Sequence, residues 1–306
     1  MTARARVVIQ KALAASHQVQ TAETSRPGHA SRLAQGAAAD GVDVVVVLGG
    51  DGTLNEAANG LVGTSTALGV LPGGSTNVFA RTIGMTNDPI AATTELLASI
   101  AAGGIERVNL GSVNGRYFLF HVGIGYDAAV VRQVERRGIL KRTFGHAVFV
   151  AAAILTWYRH YDRRHPSFAV AGDAMEHGAG ADVADGYFGI CLNTNPYTFL
   201  GNRPLDVATG TGFDNGLTMI TFRTLQLAAL LPLAVEAWRG GEGLATNRSV
   251  QVARDQRQVV VTGYKPVPYQ MDGEYLGELD RIVIRNEVGA LRLVLPRHVP
   301  GVTAER

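Results

Sequence analysis

Along the first third of the chain, short apolar runs ending in glycine alternate with segments of helical period. Val44 to Leu48, four valines and a leucine between polar flanks, has the pattern of a strand buried on both faces of a parallel sheet. It stops at Gly49-Gly50-Asp51-Gly52-Thr53, and Leu54 to Leu61 continues as a helix. Thr53 and Glu56 have the T-x-x-E spacing of a capping box, which predicts a helix start at Thr53. A second run, Leu68 to Leu71, leads into Pro72-Gly73-Gly74-Ser75-Thr76-Asn77 and a helix-like Val78 to Arg81. Residues 4–16, 30–39 and 88–102 also read as helices, the last closed by Gly103-Gly104.

From about Val108 the texture changes to short alternating strands, with a hairpin signal at Asn114-Gly115. Residues 129–165 read as a long helical region. Strand-like runs return between Ser167 and Ile220, and Leu225 to Trp238 is helical with Pro232 set to kink it. Residues 259–285 end the pattern with strands around Asp272-Gly273, an ordinary hairpin signal. The predicted fold class is α/β plus all-β. Residues 1–109 are expected to form an open α/β domain, and residues 110–296 an antiparallel, sandwich-like β domain with helices. Residues 297–306 form a tail that can return to the first domain.

Composition adds little to this. The 306 residues are 46% hydrophobic and 18% charged, ordinary for a globular chain, and the net charge of +2 singles out no partner, nucleic acid included. One cysteine, Cys191, rules out an internal disulfide and fits a reducing compartment. The longest apolar stretch, Ala147 to Tyr158, falls short of the roughly 18 residues of a membrane span. The expected location is the cytoplasm. Basic residues dominate between Arg132 and Arg164, where Phe144, Phe149, Trp157 and Tyr158 also lie. A core helix with solvated ends accounts for this, and so does docking on anionic lipid.

The two glycine loops carry the candidate chemistry. Glycine lets backbone N–H groups approach an anion, and the positive end of a helix dipole favours negative charge there. Parallel strands would bring both loops to one carboxyl edge, where open α/β folds bind ligands. A tight turn that merely needs glycine explains either loop alone, but not two that converge. Asp51 would repel a bare phosphate and could hold a Mg²⁺-bound one through water. Gly123-Ile124-Gly125-Tyr126-Asp127-Ala128 fits G-x-G-x-x-A, but no alternating βαβ pattern follows, which argues against a dinucleotide site.

GGDGT followed by LNE, then G-x-L-P-x-G-x-x-N, resembles the diacylglycerol kinase catalytic domain family, which includes bacterial soluble lipid kinases and the sphingosine and ceramide kinases. TSRPGHA at 24–30, GIGYDA at 123–128, FDNGL at 213–217 and MDGE at 271–274 extend the resemblance over nearly the whole chain. It implies an ATP- and Mg²⁺-dependent kinase that phosphorylates diacylglycerol or a similar lipid alcohol at the inner face of a membrane. A homodimer is left open. It assigns the nucleotide to Thr24, Gly49, Gly50, Asp51, Gly52, Thr53, Asn55, Glu56, Gly74, Ser75 and Asn77. Asp272 becomes the general base, with Glu274 orienting it or the metal, and Asp51 organises Mg²⁺. A structural Mg²⁺ loop maps onto Gly212, Asn215 and Leu217.

Three departures stand against the resemblance. Relatives open with a strand and an N-P-x-S-G loop, whereas this sequence begins inside a helix, so the expected native start lies upstream. Asn215 replaces the second aspartate of D-D-G-L, and Val78 replaces the aspartate of N-D. Kinases of sphingoid bases or ceramide, an NAD kinase sharing the GGDGT turn, and a lipid-binding pseudokinase are the competing readings. MDGE argues against NAD kinase, and the intact GGDGT and DGE argue against a pseudokinase. No Walker A lysine pattern occurs.

Overall fold

The structure, a computed structural model, describes residues 3–135, 164–174 and 180–296. The chain divides into two compact units: residues up to Val108 together with those from Gly289 onward, and Asn109–Val288.

In the first unit, α1 (Ala3–Ala14) and α2 (His29–Ala39) precede β1 (Val44–Gly49), α3 (Asp51–Leu61), β2 (Ala67–Pro72), α4 (Val78–Thr82) and α5 (Pro89–Ala101). β1 and β2 pair in parallel, with Val44 opposite Ala67 and Gly49 opposite Pro72. The far edge of β2 receives the last residues of β13 (Glu274–Val294), again in parallel, with Arg292 opposite Ala67. β2 therefore has strands on both sides and is buried at all six positions, whereas β1 is half-buried at five of six. Leu68 and Leu71 of β2, Leu54 and Leu61 of α3, Phe79 of α4 and Leu96 of α5 are fully buried. α5 starts where the sequence predicts, because the Asp88 carboxylate accepts from the Ile90 N–H (3.0 Å) and the Ala91 N–H (2.8 Å), and Pro89 suits the first turn. α3 starts two residues before the predicted Thr53, with Gly50 as its N-cap. Glu56 does not complete a capping box. Its carboxylate turns to the start of α2, accepting from the N–H groups of Gly28 (2.8 Å) and Ala30 (3.2 Å).

Residues 289–296, assigned to the second domain from sequence, lie in the first unit. There Leu293 pairs with Leu68, and the Leu295 N–H donates to the Gly104 carbonyl at 2.8 Å. No local pattern announces a strand that pairs with residues more than two hundred positions earlier.

The chain enters the second unit within β3 (Ile105–Val113) and leaves it within β13. Between them come β4 (Arg116–Phe118), β5 (His121–Gly125), α6 (Tyr126–Glu135), β6 (Phe168–Ala174), β7 (Gly180–Gly186) and β8 (Phe188–Leu192). After these follow β9 (Thr198–Leu200), β10 (Arg203–Leu205), β11 (Leu217–Phe222), α7 (Leu227–Arg239), a 3-10 turn (Glu242–Thr246) and β12 (Val250–Met271). The antiparallel order β12-β11-β8-β5 closes on itself, because β5 also pairs with the far end of β12, Tyr269 opposite Ile124. Alternation along the strands makes two cores. Cys191, Leu217 and Met219 join Phe118, Ile124 and Phe168 in one. Ile190, Leu192, Ile220 and Phe222 face the other, closed by Leu233 and Ala237 of α7.

Among the described residues, no helix is long and apolar enough to cross a membrane. Most of the basic and aromatic stretch considered for lipid docking, residues 136–163, and the tail 297–306 lie outside the described residues.

Candidate functional site

In the first unit, parallel pairing of β1 with β2 brings the two glycine loops to the same strand ends, as the sequence predicts. They meet backbone to backbone. The Gly73 N–H donates to the Gly49 carbonyl at 2.9 Å. A Cβ on Gly73 would sit 2.8 Å from the Gly49 nitrogen, and one on Gly74 would sit 2.8 Å from the Gly50 Cα. No side chain fits at either place without forcing the loops apart. Gly52, Gly73, Gly74 and Ser75 form an exposed rim. Gly50, the N-cap of α3, supplies no side-chain cap, and the helix presents its N-terminus beside that rim with the Asp51 carboxylate in its first turn.

The polar residues of this region mostly hold the loops. Both carboxylate oxygens of Asp51 accept backbone N–H groups from the start of α4, Val78 at 3.1 Å and Phe79 at 2.9 Å. Burial pushes the Asp51 pKa up, and those hydrogen bonds oppose it. Val78, which lacks the carboxylate of relatives, thus contributes its N–H to the one on Asp51. Asn77 adopts the left-handed conformation (φ 50°). Its Oδ1 accepts from the Gly74 N–H (2.8 Å), and its amide nitrogen donates to Asn87 Oδ1 (2.7 Å). Asn55 is buried and accepts from Asn59. Thr24 is exposed on the segment before α2, next to Ser25, whose N–H donates to His29 Nδ1 at 3.1 Å. Thr53 packs its side chain against Gly49.

In the second unit, Asp272 (φ 47°) and Gly273 (φ 83°) form the two-residue turn between β12 and β13, both in the left-handed region that such hairpins require. The Asp272 carboxylate accepts three consecutive backbone N–H groups: Leu119 at 2.7 Å, Phe120 at 3.0 Å and His121 at 3.1 Å. Its own N–H donates to the His121 carbonyl at 3.0 Å. Four hydrogen bonds thus fix one side chain and its backbone. Glu274 forms an ion pair with Arg116 across the neighbouring hairpin.

A buried polar cluster that sequence reasoning missed stands behind this turn. Gln270 accepts from the Gly273 N–H (2.7 Å) and donates to Asp127 Oδ2 (2.8 Å), while the Tyr197 hydroxyl donates to Asp127 Oδ1 (2.6 Å). Burial raises the Asp127 pKa against the pull of Tyr197 and Gln270. A Cβ on Gly123 would lie 1.6 Å from Asp127 Oδ2, so the glycine of G-x-G-x-x-A makes room for this carboxylate rather than for a dinucleotide. The His121 ring lies 4.5 Å from that of Tyr197, and burial lowers its pKa to about 3. The sequence signals for the cluster are Asp127 within GIGYDA and Gln270, an amide at an inward position of an otherwise apolar strand end.

The loop mapped as a structural Mg²⁺ site is closed by its own hydrogen bonds. The Asn215 side-chain amide donates to the Gly210 carbonyl (2.7 Å), the Asn215 N–H donates to the Gly212 carbonyl (3.2 Å), and Leu217 is fully buried. The amide oxygen that stands in place of a carboxylate can still ligate a hard cation but brings no charge, so affinity for one falls. Among the described residues, no group of three or more His, Cys, Asp or Glu side chains could hold a metal ion.

Residues 2–113 match the family model described as the diacylglycerol kinase catalytic domain. A diacylglycerol kinase of Bacillus subtilis (strain 168) is 37% identical over 121 residues, 39% of each chain. A protein of Chromohalobacter salexigens named "Probable lipid kinase YegS-like" is 31% identical over 186 residues, 56% of this chain and 58% of that one. This chain thus covers well under two thirds of these relatives' lengths. A crystal structure of a diacylglycerol kinase from Bacillus anthracis str. Sterne superimposes with a TM-score of 0.71 over 95% of this chain and 91% of that one. At 20% identity, this last likeness speaks for the two-domain fold alone.

Proposed function

We propose, from the match of residues 2–113 to the diacylglycerol kinase catalytic domain model, that the protein is a lipid kinase, transferring the γ-phosphoryl group of ATP to the hydroxyl of diacylglycerol or a similar lipid alcohol. The observation that carries this reading is the backbone-to-backbone junction of Gly49-Gly50 with Gly73-Gly74 beside the N-terminus of α3. Phosphoryl transfer asks a protein mainly for positioning and charge stabilisation. A glycine-lined rim beside a helix N-terminus, whose first N–H groups have no intrahelical carbonyl to bond, serves both ends.

Asp51 and Asn77 act here as positioning residues, clamping the two loops through backbone groups. Mg²⁺ would arrive on the phosphates, as this ion usually does when a protein offers no cage of its own, with Asp51 as the nearby carboxylate, and it would neutralise charge on the transferring group. No step is assigned to the 212–217 loop.

Asp272 takes the role of base. Its fixed carboxylate would accept the acceptor's proton as the new P–O bond forms, a contribution made late because alcohols are weak acids. Glu274 is assigned to its Arg116 pair, which stiffens the strand after the turn.

The test is γ-labelled ATP and Mg²⁺ offered with diacylglycerol, sphingosine, ceramide and NAD. Label passing to a lipid alcohol is the expected result. Label passing only to NAD, or none passing while ATP binds, would replace the reading with one of its competitors.

A further inference from the structure

α7 carries apolar residues on its outer face as well as its inner one. Leu233 and Ala237 seal one core of the second unit. Leu227, Leu231, Val235 and Trp238 remain 45%, 62%, 50% and 45% exposed. At about 100° per residue these four fall within roughly 80° of arc, a single stripe along the 13-residue helix. Exposed Ala228 and Ala234 flank it. The helix has one acid, Glu236, and its carboxylate is turned inward to accept the Gly243 N–H at 3.0 Å. A helix that is apolar all round belongs in a core or against a non-aqueous partner.

The charges around the stripe say which partner. Arg239 ends the helix, and Arg203 lies over the Trp238 ring at 5.6 Å. Arg223 stands just before the helix, and its N–H donates to the Ser249 carbonyl, beside Arg248. All four arginines are exposed, and none forms an ion pair among the described residues. Two copies meeting through this face would bring like charges together, whereas an anionic lipid surface complements them. Leucine and valine on one arc, an indole at its end and arginines at both ends are the marks of a helix lying in a membrane interface.

We propose that the outer face of α7, centred on Leu231, Val235 and Trp238 and ringed by Arg203, Arg223, Arg239 and Arg248, docks the protein on anionic phospholipid. The proposal deepens the lipid-kinase reading, since it gives the enzyme a way to reach a substrate that stays in the bilayer.

The full chain is sedimented, without ATP, with vesicles of phosphatidylglycerol and phosphatidylcholine and with phosphatidylcholine alone. Binding to the anionic vesicles is expected, weakened by salt. Leu231→Asp/Val235→Asp should bind roughly ten-fold or more weakly, the scale set by keeping two aliphatic side chains out of lipid. The chain has two tryptophans, so a Trp157→Phe background leaves Trp238 as the reporter, and its emission should shift to the blue on anionic vesicles. Equal binding by the double variant, or an unmoved Trp238 emission, overturns the proposal. So does a dimer in sedimentation velocity that the double variant dissolves, because a second copy then covers the face. A chain that phosphorylates lipid yet fails these tests refutes docking alone, and one that docks without transferring phosphate refutes the kinase reading alone.

Discussion

Asp272 illustrates how much of this protein's polar chemistry is backbone chemistry. Its two carboxylate oxygens accept three consecutive main-chain donors, an arrangement that an amide cannot reproduce. In Asp272→Asn, an oxygen left on Phe120 and His121 turns the NH₂ group towards the Leu119 N–H, donor against donor. A stability loss of about 1–3 kcal/mol is expected in urea titrations. The proposed base role predicts a further fall in turnover of about a hundred-fold or more, measured well below the unfolding midpoint. A variant that loses stability but keeps its turnover would make Asp272 a structural residue.

His121 supplies a prediction about pH. Burial holds its pKa at about 3, against 6.5 in an unfolded chain, so between those values the unfolded chain binds a proton that the native one does not. Stability therefore rises with pH through that window and is lost on acidification. Asp127, raised by burial, has the opposite sign and gains stability as pH falls. His121→Gln should remove an acid sensitivity of about 3 kcal/mol at pH 4 relative to neutral pH. Urea midpoints measured from pH 7 to 4 should fall more steeply for the native protein than for the variant. Parallel curves would contradict the assignment.

At the scale of elements, what could be read in advance was what the chain states locally. β1, β2 and their loops are each an apolar run followed by glycine, and the Asp88-Pro89 start of α5 is a cap of adjacent residues. Glu56 shows how a local rule fails. The capping-box spacing is present, but α2 packs beside α3 and offers two uncapped N–H groups of its own, so the carboxylate goes there. The cluster of Asp127, Tyr197 and Gln270 joins residues 70 and 143 positions apart, beyond any periodicity, and the same holds for the end of β13 beside β2. Asp51 belongs to this scale as well, because it ties the first glycine loop to the helix after the second. Asp51→Ala uncaps the five-residue α4 and should cost about 1–2 kcal/mol in thermal or urea unfolding, with ATP binding weakened in parallel. Loss of ATP binding with stability unchanged would instead make Asp51 a direct contact.

For the molecule as a whole, two units divide the work. The first holds the glycine rim, and the second holds Asp272, its hydrogen-bonded support and the exposed face of α7. The kinase reading rests most heavily on the rim, since without a triphosphate there is nothing for Asp272 to help transfer. Gly74→Ala places a methyl group 2.8 Å from the Gly50 Cα, a backbone atom that cannot turn aside, and must separate the loops. Titration calorimetry of Mg·ATP into the native protein and into Gly74→Ala, both checked as folded by circular dichroism, tests the claim directly. Saturable binding to the native protein, weakened about ten-fold or more by the added methyl, is the predicted result. Equal affinity in the two proteins would place the nucleotide elsewhere and contradict the account.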